Sequence, residues 1–164
     1  MTPASPELLS SLIAQGLAAQ FERVRRRVHA LVEPVTTDQL WRRPYPYGNS
    51  LGHLLLHLTG NLSYYIGTQV AGTGYVRNRP LEFTDASGRT KEDVLRDFDH
   101  AVELVLATLA AQGDADWRTP YEGVGAEDIH DRFGMFLRCA AHADHHLGQM
   151  IYLCKQLALE TPAR

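Results

Sequence analysis

His142 and His146 stand four residues apart in a chain that carries eight histidines among 164 residues. On a helix, residues at that spacing differ in direction by only about 40°, so both imidazoles leave one face. Met135, Cys139, Met150, Leu153 and Leu157 fall on the same stripe, which turns the two rings toward a core and away from water. Burying an imidazole costs free energy unless its ring nitrogens find partners. A divalent cation satisfies one nitrogen on each ring at once, through bonds of about 2.0–2.1 Å in the case of zinc. The plainer alternative is a pair of core histidines bonded to carbonyls or hydroxyls.

A second pair with the same spacing, His53 and His57, lies far upstream at the margin of a leucine stripe. Spacing alone allows a three-imidazole site with either of them, or a closed four-imidazole site with both. The difference is chemical, since four protein ligands make a structural centre and three leave a position for water or substrate. The glutamate of a His-Glu-x-x-His peptidase is missing, because Ala143 follows His142, and Asp144 points to the other side of the helix. Gln149, one turn beyond His146, can orient a ligand or a bound water, or serve a helix–helix hydrogen bond. Glu122 and Tyr64 are candidates to reach the site, though surface and packing roles are more ordinary for both. No Ser/His/Asp arrangement and no phosphate-cradling loop accompanies them.

The elements that must position these rings are helical. Apolar residues recur every three or four positions from about Pro6 to Val32, from about Ser50 to Ala71, from Thr90 to the Gly113 stop, and from about Ala126 to Leu159. Asn49 or Ser50 can cap the second of these helices, and Thr90 with Asp93 forms a weak capping box for the third. Nothing reads as a strand. The expected fold is all-α, a four-helix bundle with residues 1–164 as a single domain. Its connections are long. About 17 residues, rich in proline and aromatics (Trp41, Pro44, Tyr45, Pro46, Tyr47), precede the second helix, and a similar stretch follows it, where bundle loops of about 2–8 residues are usual. Such loops are expected to cover an end of the bundle and to permit a non-sequential helix order.

Composition removes several classes. At 45% hydrophobic, 21% charged and a net charge of −3, the chain has no basic excess for nucleic acid. The run Arg23, Arg25, Arg26, Arg27 sits within a helical pattern and reads as a solvated face. Cys139 and Cys154 are more than about 20 Å apart on one helix, too far to bridge. No apolar stretch reaches about 18 residues and no leader pattern opens the chain, so neither a membrane partner nor export is expected. A cytoplasmic location is the expectation.

The stretch Asn49-Ser50-Leu51-Gly52-His53-Leu54-Leu55-Leu56-His57-Leu58-Thr59-Gly60-Asn61-Leu62, with His142-Ala143-Asp144-His145-His146-Leu147-Gly148-Gln149 far downstream, resembles the DinB/YfiT-like superfamily. The likeness is greatest to a branch with a Ser-[Ile/Leu]-Gly start, a His-Leu-x-Gly-Asn core and a His-x-x-x-His-x-Gly-Gln ending, and Arg77 to Phe83 resembles its linker segment. The resemblance implies a bundle with non-sequential helix order, often paired into homodimers, with one divalent metal ion, zinc or nickel, at one end. It implies His57, His142 and His146 as the metal ligands, with His53, Asn61, His145 and Gln149 as candidates for supporting contacts behind them. Ala141 and His145 depart from the acidic and aromatic residues that relatives often carry there. The implied function is a metal-dependent enzyme, a hydrolase or a low-molecular-weight-thiol-dependent transferase, with an open metal position for water, thiol or a small-molecule substrate. A non-catalytic module that binds metal or a small ligand in a stress response is the alternative, and a metal-free bundle is a third reading.

Overall fold

The computed structural model describes residues 6–160 of the chain, with side chains from Leu8 onward. Four long helices, α1 (Pro6–Val32), α3 (Leu51–Leu62), α5 (Lys91–Ala110) and α7 (Arg132–Glu160), form the bundle, and three short ones, α2 (Thr37–Trp41), α4 (Leu81–Thr84) and α6 (Asp114–Trp117), lie in its connections. Local chemistry sets the starts. Thr36 caps α2 in a reciprocal box with Gln39, the Ser50 hydroxyl accepts from the His53 amide at 3.1 Å, and Thr90 accepts from the Asp93 amide at 3.1 Å. Phe21, Phe98 and Phe136 are fully buried, in one core with the leucines of α3. Their shared burial supplies the main favourable free energy of folding.

Helix order is non-sequential. α1 and α3 each pack against both α5 and α7, so α1 and α3, neighbours among the long helices in sequence, sit diagonally. α1 runs parallel to α7, since Gln20 bonds Asp144 near the middle and Cys154 reaches the Leu31 carbonyl near the end. It runs antiparallel to α5, through Ser10 with Gln112 and His29 with Asp99. α3 and α5 are parallel. The Trp41 ring packs on Gly52 at the start of α3 and donates to the Arg89 carbonyl at the start of α5, while Gly67 lies so near Leu104 that a Cβ would meet its Cδ2 at 2.7 Å. A parallel pair cannot be joined by a tight turn, so the chain after α3 must travel back along the bundle, and that return carries residues 69–90 past the middle of α3.

Two boundaries differ from the sequence pattern. The second helix does not run on as regular α-helix to Ala71; it passes at Ser63 into a π-helical segment, Ser63–Thr68, whose wide turns are closed by bonds such as Gln69 N–H to the Tyr64 carbonyl at 3.1 Å. The fourth helix begins at Arg132, not near Ala126. The backbone before it is engaged elsewhere, with Tyr121 N–H bonded to the His130 carbonyl and Arg132 N–H to that of Thr119. Asp131 then accepts from the Gly134 amide at 2.7 Å and starts the helix.

Candidate metal centre

His57 on α3 meets His142 and His146 on α7. One ring nitrogen of each lies within 4.8 Å of the others, and His57 Nε2 and His142 Nε2 are 2.9 Å apart. The rings stand edge-on to one another, with centroids 4.4 to 5.1 Å apart. His57 and His146 are buried. Buried polar atoms in folded proteins are almost always hydrogen-bonded, yet His146 Nε2 has no partner. A tetrahedral ion with bonds of about 2.0–2.1 Å holds its ligand nitrogens roughly 3.3 Å apart, so small ring rotations bring these three to that spacing. The residues fit a divalent metal.

The outer nitrogens of His57 and His146 are held as a metal ligand needs. His57 Nδ1 donates to Glu82 Oε2 at 2.8 Å, and Arg77 grips the same carboxylate from Nε at 2.6 Å and from Nη2 at 2.9 Å. His146 Nδ1 donates to Gln149 Oε1 at 2.7 Å. With the proton fixed on Nδ1, the Nε2 lone pair of both rings faces inward, which is the arrangement that orients metal-binding imidazoles. Gly60, one turn beyond His57, makes the first of these contacts possible, because a Cβ there would lie 2.9 Å from Glu82 Cδ.

Burial keeps the His142 and His146 rings neutral. Burial, then the neighbouring His146 and His57, push the His142 imidazole down to about 3. Burial pushes His146 down to about 4, opposed in part by its bond to Gln149. A neutral imidazole is the metal-binding form. Burial alone would raise the Glu82 carboxyl, but the hydrogen bonds from His57 and Arg77 overcome it and hold the group below the usual carboxylate range. The Arg77 and Glu82 side chains are 9% and 6% exposed, so this is a buried ion pair.

The other residues singled out in the sequence have distinct places. His53 is buried but occupied: Ser50 Oγ lies 2.7 Å from its Nδ1, its Nε2 donates to the Asp85 carbonyl at 3.1 Å, and its ring stands edge-on to Trp41. It closes the start of α3 against the return segment. His145 is exposed and bonds Gln149 Nε2 at 3.2 Å, behind His146. Asn61 is buried, and its Oδ1 has no partner. Glu122 is exposed beside Tyr121, Tyr64 stands edge-on to Tyr65, and Asp144 pairs with Arg23 on the far side of α7. Sequence reasoning assigned no role to Glu82, Arg77 or Gly60. Only the linker likeness from Arg77 to Phe83 pointed at the first two.

Beyond His57, the π-helical segment presents Tyr65. Its hydroxyl donates to the Gly125 carbonyl at 3.1 Å, and its own carbonyl accepts from Tyr121 at 3.1 Å. Two guanidinium groups lie against its ring, Arg77 at 5.6 Å and Arg138 at 5.1 Å from the centroid.

An all-helical bundle with non-sequential helix order and a three-imidazole cluster between two of its long helices defines a class of protein. A profile of the DinB superfamily matches residues 20–150, and the chain belongs to that superfamily. Among solved structures it is similar to one described as a conserved protein of locus from Enterococcus faecalis, with 15% identity, a TM-score of 0.72, and coverage of 88% of this chain and 96% of that one. At that identity the likeness speaks for the fold. No curated protein sequence matches the chain.

Proposed function

We propose that the chain is a metal-dependent enzyme acting on a small-molecule substrate, a hydrolase or a transferase that uses a low-molecular-weight thiol. One divalent ion, zinc or nickel, would be held by His57, His142 and His146. The observation that carries this reading is the buried, unpartnered Nε2 of His146 beside the Nε2 atoms of His57 and His142. When bound, the metal supplies Lewis acidity, lowering the pKa of a coordinated water or thiol toward neutrality.

The protein's own residues do the rest. Glu82, clamped by Arg77, fixes the His57 proton on Nδ1 and keeps that ring from turning. Gln149 does the same for His146. His142 is half-buried while His57 and His146 are buried, so solvent and substrate reach the cluster from the His142 side. Three imidazoles bring no charge of their own, so a coordinated nucleophile keeps the full polarising effect of the cation.

Elemental analysis of protein purified without a His tag tests the metal, and X-ray absorption tests the coordination number. One equivalent of metal with three imidazole ligands and an exchangeable fourth position supports an enzyme. Four protein ligands favour a binding module, and absence of metal after reconstitution removes the reading. A screen of metal-loaded protein with common low-molecular-weight thiols then addresses the reaction. Assembly as a homodimer in the cytoplasm is part of the same proposal, and light scattering on the purified protein tests the pairing.

A further inference from the structure

Arg138 stands one turn before His142 on α7, so the two side chains leave the helix within about 40° of each other. The residue is half-buried, and its positive charge is felt at the His142 ring. Two contacts hold the guanidinium. It lies against the Tyr65 ring, and Nη2 donates to the Gly125 carbonyl at 3.3 Å, the same carbonyl that accepts the Tyr65 hydroxyl. No carboxylate of the described residues pairs with it. Glu127 feels its charge, but that carboxylate accepts from the Gly125 amide instead.

Arg77 makes the contrast. It lies against the same ring, yet its charge is spent on Glu82 inside the protein. Of the two guanidiniums on Tyr65, Arg138 alone keeps an unneutralised charge and spare donors. A guanidinium has five N–H donors in a planar fork that matches the oxygens of carboxylate or phosphate. Pinned by the tyrosine ring and one carbonyl, it is oriented before any ligand arrives.

We propose that Arg138 is the anion-recognition residue of this site, binding a carboxylate or phosphate group of the substrate while the reacting group lies at the three-imidazole cluster. The inference rests on the metal-dependent reading and deepens it by naming the substrate class as anionic.

The test uses the full chain loaded with Co(II): titration calorimetry reads anion binding whether or not the anion touches the metal, and the visible spectrum reads ligands entering the cobalt coordination sphere. Acetate and inorganic phosphate are titrated separately into the wild type and into Arg138→Gln and Arg138→Lys, with imidazole as an uncharged ligand for the same position. Loss of a charge-assisted hydrogen-bonded contact is worth about 10- to 100-fold in affinity. The expected result is a weakening of that size in Arg138→Gln for whichever anion the site prefers, a smaller one in Arg138→Lys, and unchanged imidazole binding and cobalt affinity in both. Equal anion affinity in all three proteins overturns the inference and leaves the metal reading standing. Failure of the wild type to take up cobalt, or a spectrum that imidazole does not change, overturns both.

Discussion

Glu82 occupies the space that Gly60 leaves vacant. A Cβ on Gly60 would fall 2.9 Å from the carboxylate carbon of Glu82, closer than such atoms approach without something moving. The two residues belong to different elements, the helix that carries His57 and the segment that returns beside it, and their contact is what lets a carboxylate reach His57 Nδ1.

Gly60→Ala separates helix stability from site geometry. Alanine favours a helix interior by about 1 kcal/mol over glycine, so any local propensity gain opposes the clash. Displacement of Glu82 should weaken metal binding by about 10- to 100-fold, the usual effect of losing a contact behind a ligating histidine. Competition against a chelator of known affinity measures this, and unchanged binding would show that the metal does not need Glu82.

Glu82→Gln leaves Arg77 buried without its counter-charge. Breaking a buried ion pair by removing one partner costs about 3–5 kcal/mol, so the variant should unfold at clearly lower denaturant concentration than the wild type. Arg77→Met with Glu82→Gln together should recover part of that loss, because no orphan charge remains. A double variant no more stable than the single one would place the cost elsewhere.

His142→Ala and His53→Ala should behave in opposite ways. The first removes a proposed ligand and should lower metal affinity at least about 10-fold. The second removes a ring whose two nitrogens are already engaged by Ser50 and the Asp85 carbonyl, so metal stoichiometry should hold while thermal stability falls. Loss of metal in His53→Ala would restore the four-imidazole arrangement that spacing alone allowed.

Stability of the metal-free protein should decline in acid before the carboxylates titrate. His142 and His146 are held near 3 and 4 in the folded chain against 6.5 for an unperturbed histidine. Between those values the unfolded chain binds more protons than the folded one, so stability is greatest above about pH 6.5 and falls as pH drops toward 4. Urea melts across that range should show the midpoint falling, and a flat profile would mean that both rings protonate freely in the folded state.

The protein's own thiols should stay out of any thiol chemistry. Cys139 is fully buried, which pushes its thiol up to about 12, and half-buried Cys154 is raised by the same cause. Reactivity belongs to the thiolate. A chromogenic disulfide reagent should leave Cys139 unlabelled in the native protein and reach Cys154 slowly. Rapid native labelling of Cys139 would contradict its burial.

The parts of this architecture that repeat along a helix were readable in the chain. The apolar stripes marked all four long helices, the hydroxyls of Ser50 and Thr90 marked two starts, and the spacing of His142 and His146 put both rings on the buried face. The choice between His53 and His57 was not readable, because both sit at the edge of one stripe. It depends on what the return segment presents: a backbone carbonyl at Asp85 for one ring, a carboxylate at Glu82 for the other. Glu82 itself looked like an ordinary acidic loop residue, since nothing local signals that it will be buried against a ring 25 positions away. The π-helical turns at Ser63–Thr68 have no periodic signature either, and Arg132 begins its helix late only because residues 119–121 claim the preceding backbone.

The parallel course of α3 and α5 obliges the chain to lay a strap along the outside of the frame, anchored at both ends by helices it does not belong to. Arg77 and Glu82 ride on that strap. Substitutions there can retune how firmly His57 is gripped while the packing of the four long helices on one another keeps its own residues. The grip on His57 is thus a replaceable fitting on a frame that need not be rebuilt.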